Sequence, residues 1–150
     1  MRPDRISVTF VEEQVSGSAR LLWDEAPKTC EQVLRILPLE VQAVHAIYSG
    51  SEIALEVPQL PQFELENPTT NAQPGDIACV YLPAADYYGI DADLPEILWL
   101  YDSDARPGMF EGPVPIGVFA RFEELAPIAA ASIDMRVSGA KRVRIEVAAD

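Results

Sequence analysis

Residues 24–37 read DEAPKTCEQVLRIL, a stretch that carries the marks of a helix at both ends. Pro27 is typical of the first helical turn, where its missing N–H would have no partner anyway, and Asp24 and Glu25 place negative charge at the positive end of the helix dipole. The apolar residues recur at helical spacing: Cys30, Val33, Leu34 and Leu37. Pro38 then blocks continuation, because the residue before a proline is pushed out of the α region. One such helix among segments of period two predicts a helix that plugs or covers a β-barrel.

Short segments with alternating apolar and polar residues make up most of the remaining chain. They predict strands at 5–11, 18–23, 41–48, 52–57, 77–82, 96–102, 117–122 and 141–147. In the strand at 52–57 either face could point inward, and we expect it to be the face of Ile53, Leu55 and Val57. A second, short helix is predicted at 123–131, where Pro127 confines or kinks it. About eight strands and two helices predict a mainly β protein with a closed barrel, forming one domain over residues 1–150.

The charge balance restricts the classes of partner. With 11 Lys and Arg against 24 Asp and Glu, the net charge is −13, which argues against nucleic acid and anionic membranes as partners. Residues 1–5 lead into a strand with no apolar stretch or cleavage site, so we expect no signal peptide and a cytoplasmic location. Cys30 and Cys79 are then interpreted as small buried hydrophobes in a reducing compartment, and a disulfide between them is the less favoured alternative.

Three segments in chain order resemble the cyclophilins. Residues 24–32 look like the entry to the first cyclophilin helix, 115–125 resemble a late strand followed by the second helix, and 141–147 resemble the final strand. The middle of the chain is more similar to the small bacterial and archaeal cyclophilin-like barrels of uncharacterised function. The segments that carry this likeness are 52–58, 66–68, 75–77 and 81–83. The resemblance implies a cyclophilin-like barrel over most of residues 5–147.

The same resemblance also argues against proline isomerase activity. Cyclophilins that isomerise proline use an arginine, a phenylalanine and a glutamine on the strands after the first helix. When residues 44–46 are aligned with the Phe-His-Arg of that family, the three positions hold Ala46, Ser51 and Ala54, and no arginine lies between Arg35 and Arg106. The resemblance therefore implies a barrel that lacks the residues of the isomerase.

His45 is the single histidine and the side chain best suited to proton transfer near neutral pH. As a catalytic base it needs an orienting carboxylate, and Glu52 or Glu56 across the predicted turn could provide one. The simpler interpretation, which we favour, is a hydrogen-bonded histidine in a barrel strand.

Several aromatic and charged residues are predicted to lie near one mouth of the barrel, where they would form a small-molecule pocket. They are Tyr48, Glu66, Tyr81, Trp99, Tyr101, Phe119 and Arg121. Arg121 is expected to have a carboxylate partner such as Glu66, or an anionic ligand. The acidic pairs at 91–93 and 102–104 lack the spacing of a calcium loop and are interpreted as a solvated rim, so no metal site and no cofactor are expected.

The leading hypothesis from the sequence is a protein that binds a small molecule or a short peptide in a barrel-mouth pocket. Three alternatives remain. One is an enzyme on a small amide or carboxylate, with His45 as acid and base, Glu52 as its orienting group and Arg121 as an anion clamp. Another is a homo-oligomeric interaction module, and the last is a weak peptidyl-prolyl isomerase.

Overall fold

Eight antiparallel strands close into a barrel in the computed structural model, which describes residues 2–149. The strands in chain order are β1 (Arg5–Phe10), β2 (Val15–Leu21), β3 (Leu39–His45), β4 (Glu52–Glu56), β5 (Pro68–Thr69), β6 (Asp76–Leu82), β7 (Leu94–Leu100), β8 (Gly108–Met109), β9 (Gly112–Pro113), β10 (Ile116–Phe122) and β11 (Lys141–Val147). The barrel order is β2-β1-β11-β3-β4-β7-β6-β10, and the pairing of β10 with β2 closes it. Strands β8 and β9 form a separate hairpin, and β5 pairs with β10. The predicted closed barrel with about eight strands and two helices is confirmed.

Helix α1 (Pro27–Arg35) is shorter than the segment from which it was predicted. Asp24 and Glu25 precede the helix, so the first turn holds no acidic residue. Cys30 and Val33 are buried, as the apolar stripe requires, and Cys30 Sγ lies 3.4 Å from the Phe119 carbonyl oxygen of β10. The helix therefore packs on the barrel through the predicted face.

Helix α2 (Ala126–Ser138) is longer than predicted, and the short helix at 123–131 is corrected accordingly. Pro127 lies in the first turn, where it is tolerated because that N–H would be unpaired in any case, so it does not confine the helix. Gly17 on β2 lets α2 approach closely, since a Cβ there would lie 2.6 Å from Ile128 Cγ1. None of the helices in the described residues is long and apolar enough to cross a membrane.

Apolar side chains are buried on both faces of one half of the barrel wall. On β4, the predicted face of Ile53 and Leu55 points into the barrel interior. The opposite face carries a second apolar cluster, which includes Ala54, Val80, Leu98, Val114 and Ile116. Val114 belongs to the segment between β7 and β10, and this segment covers the outer face of the wall. The covered outer face is where the candidate site lies.

Candidate functional site

A pocket of about 200 Å³ lies between the outer face of the barrel wall and the segment that covers it. Its walls come from the end of β3 and the following turn, from β4, β6 and β7, and from the hairpin segment. The apolar lining residues include Ala54, Val80, Leu82, Leu98, Met109, Val114 and Ile116. Residues 54, 80 and 98 form the floor of the pocket on the barrel wall. Successive side chains of a strand point to opposite faces, so these three point outward while the residues before and after them point into the barrel.

Ser49 fastens the covering segment over the pocket. Its hydroxyl donates to the Gly108 carbonyl oxygen at 3.1 Å and lies 3.0 Å from the Gly108 N–H, which donates to it. The Ser49 carbonyl oxygen accepts from the Arg106 N–H at 2.8 Å. Gly50 has a φ of 72°, and a Cβ at this position would lie 2.7 Å from the Asp104 carbonyl oxygen. The turn and the covering segment therefore fit closely, and the pocket has a firm roof at this end.

Glu52 is the most unusual residue of the pocket. Its side chain is buried, with 5% of the residue exposed, and Oε1 has no hydrogen-bond partner within the described part of the chain. Burial, with a smaller contribution from the charge of Glu96, raises the pKa of Glu52 to about 8. A carboxyl group in these surroundings holds its proton at neutral pH.

Glu96 is a second carboxyl group of the same pocket. Across β4 and β7, Glu52 pairs with Leu100 and Glu56 pairs with Glu96. Glu52 and Glu96 are therefore four residues apart along the strand direction, which corresponds to roughly 13 Å between their backbones. Partial burial, with a smaller contribution from the charge of the neighbouring Glu56, raises the pKa of Glu96 to about 7. Within residues 2–149 the pocket lining contains no Lys or Arg. The pocket is therefore apolar along its length, with an acidic group toward each end.

His45 contributes to the pocket wall, but both ring nitrogens have partners. Nδ1 lies 2.9 Å from the Ala46 carbonyl oxygen and Nε2 lies 2.6 Å from the Tyr101 hydroxyl. The Tyr101 oxygen also accepts from Arg136 Nε at 3.0 Å, so the Tyr101 hydroxyl connects the ring of His45 to Arg136 of α2. His45 pairs across the strands with Ile53, on the opposite face from the Glu52 side chain. The structure therefore places Tyr101, rather than Glu52, beside the ring of His45.

Three exposed aromatic rings form a group beside the pocket. Tyr48, which lines it, packs edge to face on Phe110 with 6.2 Å between ring centroids, and Tyr88 lies 5.2 Å from Phe110. Phe110 and Tyr88 are each 67% exposed. We call Tyr48, Tyr88 and Phe110 the aromatic rim.

The other predicted site residues lie away from the pocket. Trp99 and Phe119 are fully buried in the barrel interior. Tyr81 donates to Asp93 Oδ2 at 2.8 Å, and Arg121, which is exposed, donates to Asp76 Oδ1 at 2.8 Å. The partner of Arg121 is thus Asp76 and not Glu66. Of the nine predicted site residues, His45, Glu52 and Tyr48 line the pocket.

Glu66 acts at the start of helix α1. The N-cap residue Ala26 has no side-chain oxygen, and Glu66 Oε1 accepts hydrogen bonds from the Thr29 N–H and, at 2.8 Å, from the Thr29 hydroxyl. Partial burial acts to raise the pKa of Glu66, but the hydrogen bonds from Thr29 outweigh it, so the pKa is lowered. Glu66 therefore supplies the cap that the sequence of the helix itself lacks.

Replacing this cap is expected to destabilise the fold without affecting the pocket. Glu66→Ala should lower the free energy of unfolding at pH 7 by about 1–2 kcal/mol, the usual range for loss of a cap or a charged hydrogen bond. Urea unfolding measures the loss, and Glu64→Ala, at a nearby exposed carboxyl, is the control. Equal stability of the two variants would contradict the capping role.

Glu96 and the covering segment were not recognised from the sequence. Glu96 is followed by the run Ile97 to Tyr101, in which no alternation distinguishes the inner face from the outer face. The covering residues Met109 and Val114 carry no motif. Glu96 could have been identified only from the strand register, which decides whether its side chain points to the inner or the outer face. The register cannot be assigned without knowing the strand that pairs with β7.

Comparisons with known proteins agree on a barrel fold. The solution structure of the hypothetical protein AF2241 from Archaeoglobus fulgidus is similar over 97% of this chain and 95% of its own, with a TM-score of 0.61 and 18% identity. The structure of McbB in complex with tryptophan matches 97% of this chain, with a TM-score of 0.70 and 16% identity. That match covers 45% of the McbB chain, so the present chain spans less than half the length of McbB.

The sequence comparisons show the family. No curated protein matched the chain. The family model described as "Protein of unknown function (DUF3830)" matches residues 8–147. This confirms the prediction of an uncharacterised family of small barrel proteins, and the chain belongs to the DUF3830 family.

Proposed function

We propose that this protein binds a small molecule in the outer pocket, with an apolar body of the ligand on the barrel wall and a polar group at Glu52. The observation that supports this most directly is the buried Glu52 Oε1, which has no hydrogen-bond partner among residues 2–149. A buried polar atom usually has a partner, because leaving it unpaired costs about 1–3 kcal/mol. A ligand with a hydrogen-bond donor at this position would supply the missing partner.

The size of the pocket limits the ligand. An apolar cavity of about 150 Å³ holds a benzene molecule, and this pocket has about 200 Å³. It is below the roughly 300–1,000 Å³ of sites for drug-sized ligands. A single ring with a short arm therefore fits, and a short peptide would place one side chain inside.

The proposal assigns binding and not prolyl isomerisation. Ala46 and Ala54, aligned with the arginine and glutamine of the isomerases, both line the pocket, and neither side chain can polarise a prolyl peptide. His45 is left out of the proposed chemistry because both of its ring nitrogens already have partners. Homo-oligomerisation and a cytoplasmic location remain predictions from the sequence.

Filling the pocket is expected to abolish binding. Ligand-observed NMR with 2-phenylethylamine, 2-phenylethanol and 3-phenylpropanoate should show saturable binding of at least one probe to the wild-type chain. In Ala54→Phe the new ring would occupy the pocket floor, and the observed binding should fall at least tenfold. Val137→Phe introduces the same ring at a residue that is 92% exposed on α2 and should bind as the wild type does.

Two results would reject the proposed function. One is that none of the three probes binds to the wild-type chain at millimolar concentration. The other is that Ala54→Phe folds, as judged by its circular dichroism, and still binds the probe with unchanged affinity.

A further inference from the structure

We propose that the ligand is an organic ammonium ion and that Glu52 releases a proton to the solvent when this ion binds. This inference rests on the proposed function and adds the chemical class of the ligand. Glu52 is a buried carboxyl group with 5% exposure beside an apolar pocket, and its Oε1 has no hydrogen-bond partner within the part of the chain that the structure describes.

The charges around the pocket favour a cation. Strand β4 contributes the carboxyl groups of Glu52 and Glu56 to this side of the barrel wall, and β7 contributes that of Glu96. Within residues 2–149, none of these three groups forms an ion pair. Strand β6 contributes only apolar side chains to the lining. An anionic ligand would meet these carboxyl groups with no basic group to balance it, and is therefore excluded from the proposal.

The charged groups of the turn and the covering segment do not neutralise Glu52. The Arg106 guanidinium donates to the carbonyl oxygens of Ser103 and Ala105 in its own segment. Glu111 accepts from the Tyr88 N–H, and the ring of His45 is bound to Tyr101 on the inner face. The remaining charged residues of the segment, Asp102 and Asp104, are acidic and exposed. Arg136 of α2 donates to the hydroxyl groups of Tyr101 and Ser51 and forms no ion pair with Glu52. A positive charge opposite Glu52 must therefore come from the ligand.

Proton release follows from the cost of burying an unpaired charge. In the empty pocket the carboxyl group is neutral, because an isolated buried carboxylate is strongly disfavoured. An ammonium group beside it reverses the preference, since the ion pair compensates for the lost hydration of both groups. The O–H bond of Glu52 breaks, its proton passes to the buffer, and the carboxylate accepts a hydrogen bond from the ammonium group. One positive charge enters the pocket and one leaves as the proton.

The test is calorimetric titration of the full chain with 2-phenylethylamine and with 2-phenylethanol, a neutral probe of the same shape. At pH 7, in buffers with different ionisation enthalpies, the amine should release close to one proton per site and the alcohol close to none. The amine Kd should fall about tenfold per pH unit between pH 6 and 7.5, while the alcohol Kd should stay constant.

Two variants test whether Glu52 is the group that releases the proton when the amine binds. Glu52→Gln should abolish proton release and make amine binding independent of pH in this range. Glu64→Gln, at an exposed carboxyl in the loop before β5, should behave as the wild type does. A circular dichroism spectrum that matches that of the wild type shows that Glu52→Gln is folded.

The outcomes separate the inference from the proposed function. If the alcohol binds as tightly as the amine, or if the amine binds without proton release, the ammonium inference is wrong while the binding pocket stands. Unchanged proton release in Glu52→Gln would likewise overturn it, by assigning the proton to another group such as Glu96. If 3-phenylpropanoate alone binds, the inference is wrong and the binding pocket stands. If none of the three probes binds, the proposed function fails and the inference fails with it.

Discussion

Glu52→Gln is expected to be more stable than the wild-type protein at pH 8.5 and equally stable at pH 4. The reason is that the folded protein holds the Glu52 proton up to a pKa of about 8, whereas the ordinary value is 4.5. Between these two values the folded state binds one more proton than the unfolded state, so wild-type stability falls as the pH rises. Below pH 4.5 the group is protonated in both states, and the penalty disappears.

The size of the effect follows from the width of this window. Each pH unit inside this window lowers the free energy of unfolding of the wild type by about 1.4 kcal/mol, so the full loss above pH 8 approaches about 4–5 kcal/mol. Glutamine keeps the shape of the neutral acid and cannot ionise, so the variant avoids the penalty. Glu96, with its pKa raised to about 7, adds a slope of its own to both proteins, and the difference between them reports on Glu52.

Urea unfolding at pH 4, 5.5, 7 and 8.5 would measure this difference. The curves of wild type and variant should coincide at pH 4 and separate progressively above pH 5. Glu64→Gln is the control, and its stability should follow that of the wild type throughout. A constant difference between wild type and Glu52→Gln at all four pH values would mean that Glu52 ionises normally in the folded protein.

The behaviour of Glu52 shows what the sequence could reveal about this site and what it could not. Period two on β4 correctly places Ile53 and Leu55 inward and Glu52 outward. An outward residue on a barrel would ordinarily be solvated, and the sequence therefore suggested a partner for His45 across the turn. Burial of Glu52 arises from a covering segment more than 50 residues further along the chain, and local patterns do not contain this information.

The barrel was easier to predict than the site because its evidence is local. Alternation within each strand and one marked helix are sufficient to indicate eight strands and two helices. Assigning aromatic residues to a pocket instead requires knowing which face of each strand is covered. Trp99 was predicted to lie near a barrel mouth, but it follows Leu98, whose side chain is in the outer cluster, and so it points into the interior. The sequence of this apolar strand does not show which of two adjacent residues points into the interior.

Trp99→Ala is expected to lower the free energy of unfolding by about 3–5 kcal/mol, the range for removing a large aromatic side chain from a protein core. Trp99 is fully buried, and its ring packs edge to face on Phe10 and Phe122 at centroid distances of 6.0 and 5.9 Å. Its Nε1 donates to the buried Ser132 hydroxyl of α2 at 3.0 Å. The substitution therefore leaves a cavity, removes two aromatic contacts and deprives Ser132 of its partner.

Urea unfolding followed by circular dichroism would measure this loss, with Trp23→Ala as the matched control. Trp23 is only partly buried, and its Nε1 donates to the Pro3 carbonyl oxygen at 2.7 Å, so the control should lose less stability. Probe binding by the folded fraction of Trp99→Ala should stay within about threefold of the wild type, because the side chain lies on the inner face and the pocket on the outer face. A variant that kept its stability but lost probe binding would instead place Trp99 in the binding site, because a residue that lines a ligand pocket contributes to affinity without holding the core together.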